Sequence, residues 1–324
     1  MAAFSIDVHL SPDEVRSQMC ADALKGLQGR EKSIPPVWFY DERGSRLFEE
    51  ITQLPEYYPT RAERALLQQH APAIAALSKA DTLVELGAGA CDKSRVLLAA
   101  LQELGSLERY VPFDVSDDFL RRAATTLSRE FQGLDIHLVI GDFHHHLAEI
   151  PAEGRRMIAF LGGTIGNLNP SQRSRFLFDL NCTMSSDDSL LLGTDLVKDR
   201  SRLVAAYDDA SGVTADFNRN VLLVLNEQLG GDFDPDLFHH VALWNENEQW
   251  IEMRLRAAEA TEISLAGAGI TVRFNEGEDL LTEISAKFTP ERVERELTDA
   301  GFVLEDRWGA DDGEFLLTLA HPFC

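Results

Sequence analysis

From Thr82 onward, short apolar runs alternate with segments whose apolar residues recur every three or four positions. That pattern predicts strands and helices in turn, and hence an α/β fold with a parallel sheet. Thr82-Leu-Val-Glu-Leu86 predicts a buried strand closed by the tight turn Gly87-Ala88-Gly89. In the helix expected next, Val96, Leu97, Leu101 and Leu104 share a face, and Gly105 suits a left-handed position after the last turn. Arg109-Tyr-Val-Pro-Phe-Asp114 predicts a second strand, which ends on an acid. A further helix carries Phe119, Leu120, Ala123, Ala124, Leu127 and Phe131 at helical spacing. Ile136-His-Leu-Val-Ile140, closed by Gly141-Asp142-Phe143, predicts a third strand; Met157-Ile-Ala-Phe-Leu161 and Ser189-Leu-Leu-Leu192 predict a fourth and a fifth.

The alternation then breaks. Helical spacing is expected over 203–210 and 216–229, followed by Trp250-Ile-Glu-Met-Arg-Leu-Arg256, where Ile251, Met253 and Leu255 alternate with charged residues. The turn residues Asn245-Glu246-Asn247 before it point to a hairpin. This is an α+β insertion of about 90 residues rather than more parallel sheet. Thr289 then suits an N-cap with Pro290 at the first helical position, and Val293, Leu297 and Ala300 form one face before Gly301. Phe302-Val-Leu-Glu-Asp306 and Phe315-Leu-Leu-Thr-Leu319 predict two closing strands.

Length and charge narrow the reading. At roughly 150 residues per domain, 324 residues suggest two domains. With 30 Lys+Arg against 54 Asp+Glu, the formal net charge is −24, a field that repels phosphate backbones and anionic lipid. Neither nucleic acid nor a membrane is therefore expected as a partner, whereas a small zwitterionic or cationic ligand remains compatible. Cys20, Cys91, Cys182 and Cys324 lie far apart without a zinc-like spacing, which fits a reduced, cytoplasmic protein. The opening Met1-Ala-Ala-Phe-Ser-Ile-Asp7 lacks the basic and apolar regions of a secretory signal, and no apolar run approaches the ~18 residues of a membrane span. A monomer is compatible with the sequence.

The chemistry gathers at strand ends. Glu85-Leu-Gly87-Ala-Gly89 closes the first strand at the carboxyl edge, where open α/β sheets bind ligands. A dinucleotide fingerprint wants a third glycine where this chain has Asp92, a carboxylate that would oppose a pyrophosphate. The acid Glu85 before the glycines instead fits the E/D-x-G-x-G turn of S-adenosylmethionine enzymes, whose cofactor carries no phosphate. Asp114 is placed to accept from both ribose hydroxyls, and Asp142 from the adenine amino group. Lys93, in the first helical turn, can pair with a methionyl carboxylate. The run His144-His145-His146 splays in different directions with no acid or cysteine to complete a ligand set, so no metal is expected. Cys91 is expected to be a small packing residue, and Asp208-Asp209 and Asp311-Asp312 solvated surface or turn residues.

Outside this turn the chain resembles one family through six blocks. They are Pro35-Pro-Val-Trp-Phe-Tyr-Asp-Glu-Arg-Gly-Ser45, Leu54-Pro-Glu-Tyr-Tyr-Pro-Thr-Arg61 and Leu161-Gly-Gly-Thr-Ile-Gly-Asn-Leu168. The others are Gly193-Thr-Asp-Leu-Val-Lys-Asp199, Ala206-Tyr-Asp-Asp-Ala-Ser-Gly-Val-Thr214 and Leu281-Thr-Glu-Ile-Ser285. They are similar to the histidine-specific N-α-methyltransferases of ergothioneine biosynthesis, which convert L-histidine to hercynine. The resemblance implies a Rossmann-like class I methyltransferase domain over 61–196 plus 286–324. It also implies an α+β substrate-binding domain over 1–60 plus 197–285, formed by the N-terminal segment and the insertion.

By the same resemblance, Glu85, Gly87, Gly89, Lys93, Asp114, Asp142 and Phe143 would hold S-adenosylmethionine, with S-adenosylhomocysteine as product. Tyr57, Gly162, Asn167, Tyr207, Met253, Glu283 and Ser285 would bind L-histidine and its mono- and dimethyl forms, with Met253 lining the side-chain pocket; Tyr40, near the amine, and Asn167, which with the tyrosines can hold the α-carboxylate, are the candidate catalytic residues. Asn167 also stands in a Gly-Asn-Leu-Asn-Pro turn, where an asparagine can serve the backbone alone.

Methyl transfer from a sulfonium to an amine is a near-linear displacement, so positioning is the main resource and can supply on the order of 7–11 kcal/mol. The amine must be neutral, at about 1.4 kcal/mol per unit its pKa lies above ambient pH, and a neighbouring sulfonium lowers that pKa. On an extended segment Glu283 and Ser285 point to one face, offering an acceptor and a hydroxyl to the two imidazole nitrogens. Two other readings stay open: a relative acting on tryptophan or another aromatic amino acid, and a cofactor-binding protein without transferase activity. Glu283 separates the first, because an acid suits imidazole better than an apolar ring.

Overall fold

The computed structural model describes residues 4–310 and 312–323; Asp311 and Cys324 lie outside them. The chain divides into two compact units. One comprises the residues up to 10 with 59–197 and those from 287 on; the other comprises 11–58 and 198–286.

The first unit is an eight-stranded sheet in the order Ser5–Val8, Asp135–Ile140, Arg109–Asp114, Thr82–Leu86, Arg156–Phe160, Ser189–Asp195, Phe315–Pro322, Phe302–Gly309. The first six strands run parallel and the last two pair antiparallel. Every residue of Thr82–Leu86 is buried, as a central parallel strand covered on both faces requires. Its neighbours are Arg109–Asp114 on one side and Arg156–Phe160 on the other, so the chain order reverses at this strand. That reversal opens a crevice at the carboxyl edge. The helix Ser94–Leu104 buries Leu97, Leu98 and Leu101, and Gly105 ends it at φ 79°, the left-handed conformation expected there. The five strands expected from the apolar runs are all present, with Ser189–Asp195 longer than its apolar core.

Residues 5–8 depart from the sequence reading, which groups 1–60 with the substrate-binding part. Ser5–Val8 instead adds a parallel edge strand to this sheet, in register with His137–Ile140.

The second unit carries a four-stranded sheet in the order Lys32–Ser33, Asp279–Ala286, Trp250–Ala257, Phe238–Asn245. Phe238–Asn245 and Trp250–Ala257 form the expected antiparallel hairpin. A smaller ribbon pairs Thr261–Leu265 with Ile270–Phe274. The helix Val213–Leu229 packs on this core through Phe217, Val221 and Leu225. The helix Pro12–Leu27 starts at a capping box in which Ser11 and Glu14 satisfy each other's backbone N–H groups.

Helical structure expected over 203–210 is found over Arg200–Ala205, capped by the Asp199 carboxylate. Asp209, expected at the solvated surface, is instead 6% exposed. Its carboxylate accepts from the N–H groups of Val213 and Thr214 at 3.1 and 2.7 Å. Asp209 thereby starts the next helix rather than continuing the first.

Candidate active site

In the first unit the strand Thr82–Leu86 delivers the chain into a turn in which Gly87, Gly89 and Cys91 take φ values of 70°, 50° and 56°. A Cβ at Gly87 or Gly89 would meet nothing within 4 Å, so the two glycines leave their backbone open to a ligand. Cys91 holds its left-handed conformation as a buried packing residue, and burial pushes its thiol well above the ordinary range. It is not a reactive thiolate.

Asp114 ends the neighbouring strand. One of its oxygens accepts from the Gly89 N–H and the other from the Ser116 N–H, each at 2.9 Å, so the carboxylate braces the glycine turn. Burial pushes its carboxyl above the ordinary range against the pull of those N–H groups. Each carboxylate oxygen has a second lone pair, which suits the two hydroxyls of a ribose. Asp142, one strand further out, accepts from the His144 N–H at 2.8 Å. The ring of Phe143 stands edge-on to Phe160 and Phe176 at 5.3 and 5.8 Å. The open glycine turn and the strand-end acids fit an adenosine-bearing, phosphate-free cofactor.

Two residues of the expected cofactor set have partners that the sequence does not reveal. Glu85 is buried beneath the turn, where the hydroxyls of Ser94 and Tyr110 donate to its carboxylate. Burial, opposed by those two hydroxyls, pushes its pKa up to about 7. Its place is to hold the helix start against the strand. Lys93 sets its ammonium 2.6 Å from Oε2 of Glu63, a fully buried carboxylate not singled out from the sequence.

The Glu85 shift has a consequence for stability. Between the ordinary carboxyl range and about pH 7 the folded chain holds a proton that the unfolded chain releases, so this group favours folding below that window and progressively less through it. Glu85→Gln is expected to match the parent at about pH 5 and to exceed it by several degrees in Tm at about pH 8. Melting curves of the two proteins across that range check this; a constant difference would contradict it.

Gly162, at φ 79°, opens the loop after Arg156–Phe160 and donates its N–H to Glu63. Asn167 closes the short turn Thr164–Asn167 and is half-buried. The helix that follows is capped by Asn169, in a capping box with Gln172. The structural asparagine of Gly-Asn-Leu-Asn-Pro is therefore Asn169, which leaves Asn167 outside the cap.

In the second unit, Glu283 and Ser285 lie on the strand Asp279–Ala286, extended as the two-residue spacing requires, at 8% and 5% exposure. Met253 is directly opposite Glu283 across the antiparallel pair, so the two side chains are neighbours on one face. The Tyr207 hydroxyl is 2.8 Å from the Ser285 hydroxyl, and its ring stands edge-on to Tyr57 at 6.1 Å. Phe48 bridges Tyr57 and Tyr40, with ring centroids 6.3 and 5.8 Å away, and Phe217 lies 5.7 Å from Tyr40. These rings join the three tyrosines into one aromatic group, a feature the sequence blocks do not announce.

Behind them Asn218, fully buried, presents Oδ1 to the Thr282 hydroxyl at 2.6 Å and Nδ2 to His240 Nδ1 at 2.8 Å. His240 Nδ1 accepts, so Nε2 carries the proton and donates to the Tyr207 carbonyl at 2.8 Å. Burial lowers the His240 pKa, in keeping with a neutral ring. This relay fixes the strand that carries Glu283 to the segment that carries Tyr207.

The sheet order, the reversal at Thr82–Leu86 and the glycine–acid cradle define a Rossmann-like class I S-adenosylmethionine-dependent methyltransferase. A crystal structure of such an enzyme from Clostridium acetobutylicum shares the fold, with a TM-score of 0.50 at 12% identity, covering 86% of this chain and 99% of that one. The chain belongs to the histidine-specific, S-adenosylmethionine-dependent methyltransferase family, which matches residues 19–322. It is 52% identical to the histidine N-alpha-methyltransferase of Mycobacterium tuberculosis over 98% of both chains. It is 50% identical, with the same coverage, to the enzyme of that name from Mycolicibacterium smegmatis.

Proposed function

We propose that the chain trimethylates the α-amine of L-histidine, giving hercynine, as the first step of ergothioneine biosynthesis. The observation that carries this reading is the buried Glu283 beside Met253, with Ser285 two residues on and in contact with Tyr207. A carboxylate has lone pairs enough to accept an imidazole N–H besides its protein contacts, and the Ser285 hydroxyl can donate to or accept from the second ring nitrogen. An indole has a single N–H and a larger apolar ring, so a tryptophan-directed site has less use for this pair. Asn167, Tyr57 and Tyr207 are neutral donors for the α-carboxylate, Tyr40 belongs near the amine, and Gly162 is among the substrate-binding residues. Neutral groups there leave room for the successive ammonium products and do not compete for the nitrogen lone pair.

S-adenosylmethionine, when bound, supplies the electrophilic methyl group in each of three rounds. Gly87, Gly89, Asp114, Asp142, Phe143 and Lys93 hold it, with Glu85 supporting the turn from below. We place the enzyme in the cytoplasm, acting on a free amino acid, without nucleic-acid or membrane partners. The net charge of −24 supports this, and among the described residues no helix is long and apolar enough to cross a membrane.

Incubating the purified protein with S-adenosylmethionine and each proteinogenic amino acid in turn, followed by product masses, tests the proposal. Methylated histidine alone is expected. A tryptophan product would promote the aromatic alternative, and no product at all would leave a cofactor-binding protein.

A further inference from the structure

Glu63 is fully buried on the helix Pro59–Ser78, yet it carries a carboxylate whose burial costs several kcal/mol unless it is fully paired. Its oxygens take the Lys93 ammonium at 2.6 Å and the Gly162 N–H at 2.8 and 2.9 Å. Two glycines make room for this. A Cβ at Gly193 would stand 2.1 Å from Glu63 Oε1, and one at Gly162, already at φ 79°, would stand 3.2 Å from Lys93 Nζ. Lys93, Gly162 and Gly193, three residues distant in sequence, are thus fitted to one buried carboxylate.

Stability alone does not call for such an arrangement, because a buried ion pair is often no better than apolar residues of the same volume. The pair is also lopsided: the Glu63 side chain is sealed, whereas that of Lys93 is 21% exposed. An ammonium has three donors, and Glu63 engages it from the buried side.

We propose that Glu63 is a positioning residue for the cofactor's amino-acid arm, acting through Lys93. It limits the rotamer freedom of a flexible lysine. It aims the remaining donors at a methionyl carboxylate beside the N-terminus of Ser94–Leu104. The same carboxylate sets the Gly162 loop, so one group orders the carboxylate-binding lysine and the start of the loop that leads to Asn167. This rests on the reading of Lys93 as the partner of the methionyl carboxylate.

The test is calorimetric binding of two ligands, S-adenosylhomocysteine and 5′-methylthioadenosine, the second having the same nucleoside and sulfur but no amino-acid arm. Lys93→Met and Glu63→Gln are each expected to weaken S-adenosylhomocysteine about tenfold, as loss of a charge-assisted contact does, while 5′-methylthioadenosine changes less than about twofold. Gly193→Ala keeps both charges but pushes the carboxylate off its position, and should give the same selective loss; it also serves if Glu63→Gln fails to fold. The double variant Lys93→Met, Glu63→Gln should bind no more weakly than Lys93→Met alone. Equal weakening of both ligands by Glu63→Gln and Gly193→Ala would reduce Glu63 to a fold element and overturn the inference. So would unchanged binding in these two variants beside a selective loss in Lys93→Met, with the Lys93 reading intact. If Lys93→Met itself shows no selectivity, that reading fails and the inference with it.

Discussion

Glu283→Ala is expected to lower kcat/KM for L-histidine by about 100-fold while leaving the Kd for S-adenosylhomocysteine within about twofold, because the change strands a buried imidazole N–H rather than a cofactor contact. Glu283 is 8% exposed and faces Met253 across the strand pair, so water is poorly placed to replace it. A site built around a hydrogen bond discriminates strongly against a ligand that cannot make it, and the converse holds when the site loses its half. The preference for histidine over tryptophan should narrow in the same variant. Steady-state kinetics with both amino acids, together with cofactor calorimetry, read the result. Equal loss of histidine turnover and cofactor affinity would contradict the assignment.

Asp114→Asn is expected to act on the other ligand, weakening S-adenosylhomocysteine by about 100-fold, the combined effect of a lost charged acceptor and a disturbed turn. The two Asp114 oxygens hold the N–H groups of Gly89 and Ser116. An amide in their place must turn its NH2 toward one of those donors, so the glycine turn loses a brace and the ribose loses an acceptor. The contacts among Tyr207, Ser285, Asn218 and His240 involve none of these atoms. The melting profile of the second unit should therefore be preserved. Affinity within about twofold of the parent would mean that Asp114 does not meet the cofactor.

These two carboxylates also mark what is legible in a sequence. Asp114 is singled out by local position, at the end of the strand after a glycine turn, whereas Glu283 is singled out only by the resemblance of its block, spacing adding that Ser285 shares its face on an extended segment. The central strands are read locally too, since a fully buried parallel strand is simply a run of apolar residues, as in Thr82–Leu86 and Arg156–Phe160.

What escapes is whatever depends on a distant partner. Nothing in Pro59-Thr-Arg-Ala-Glu63-Arg distinguishes Glu63 from the exposed charges of a surface helix; its burial comes from Lys93, 30 residues on, and from Gly162, 99 residues on. Lys93 in turn looks unengaged until Glu63 is found. The edge strand Ser5–Val8 is four residues long with a mostly exposed pattern, too little for periodicity to register. Asp209 beside Asp208 looks like a solvated pair, and its role as a helix start emerges only when its oxygens are seen on Val213 and Thr214. The capping boxes at Ser11–Glu14 and Asn169–Gln172 were available signals, because three-residue spacing is local; the second shows which asparagine of the loop serves the backbone.

The central claim is that the nitrogen methylated is the α-amine and that the imidazole is held, not modified. The most direct measurement is the fragmentation mass spectrum of the product formed from L-histidine and excess S-adenosylmethionine. Three methyl groups retained on the α-nitrogen, with an unmethylated ring fragment, is the predicted result. A methyl group on an imidazole nitrogen, or histidine recovered unchanged, would contradict it.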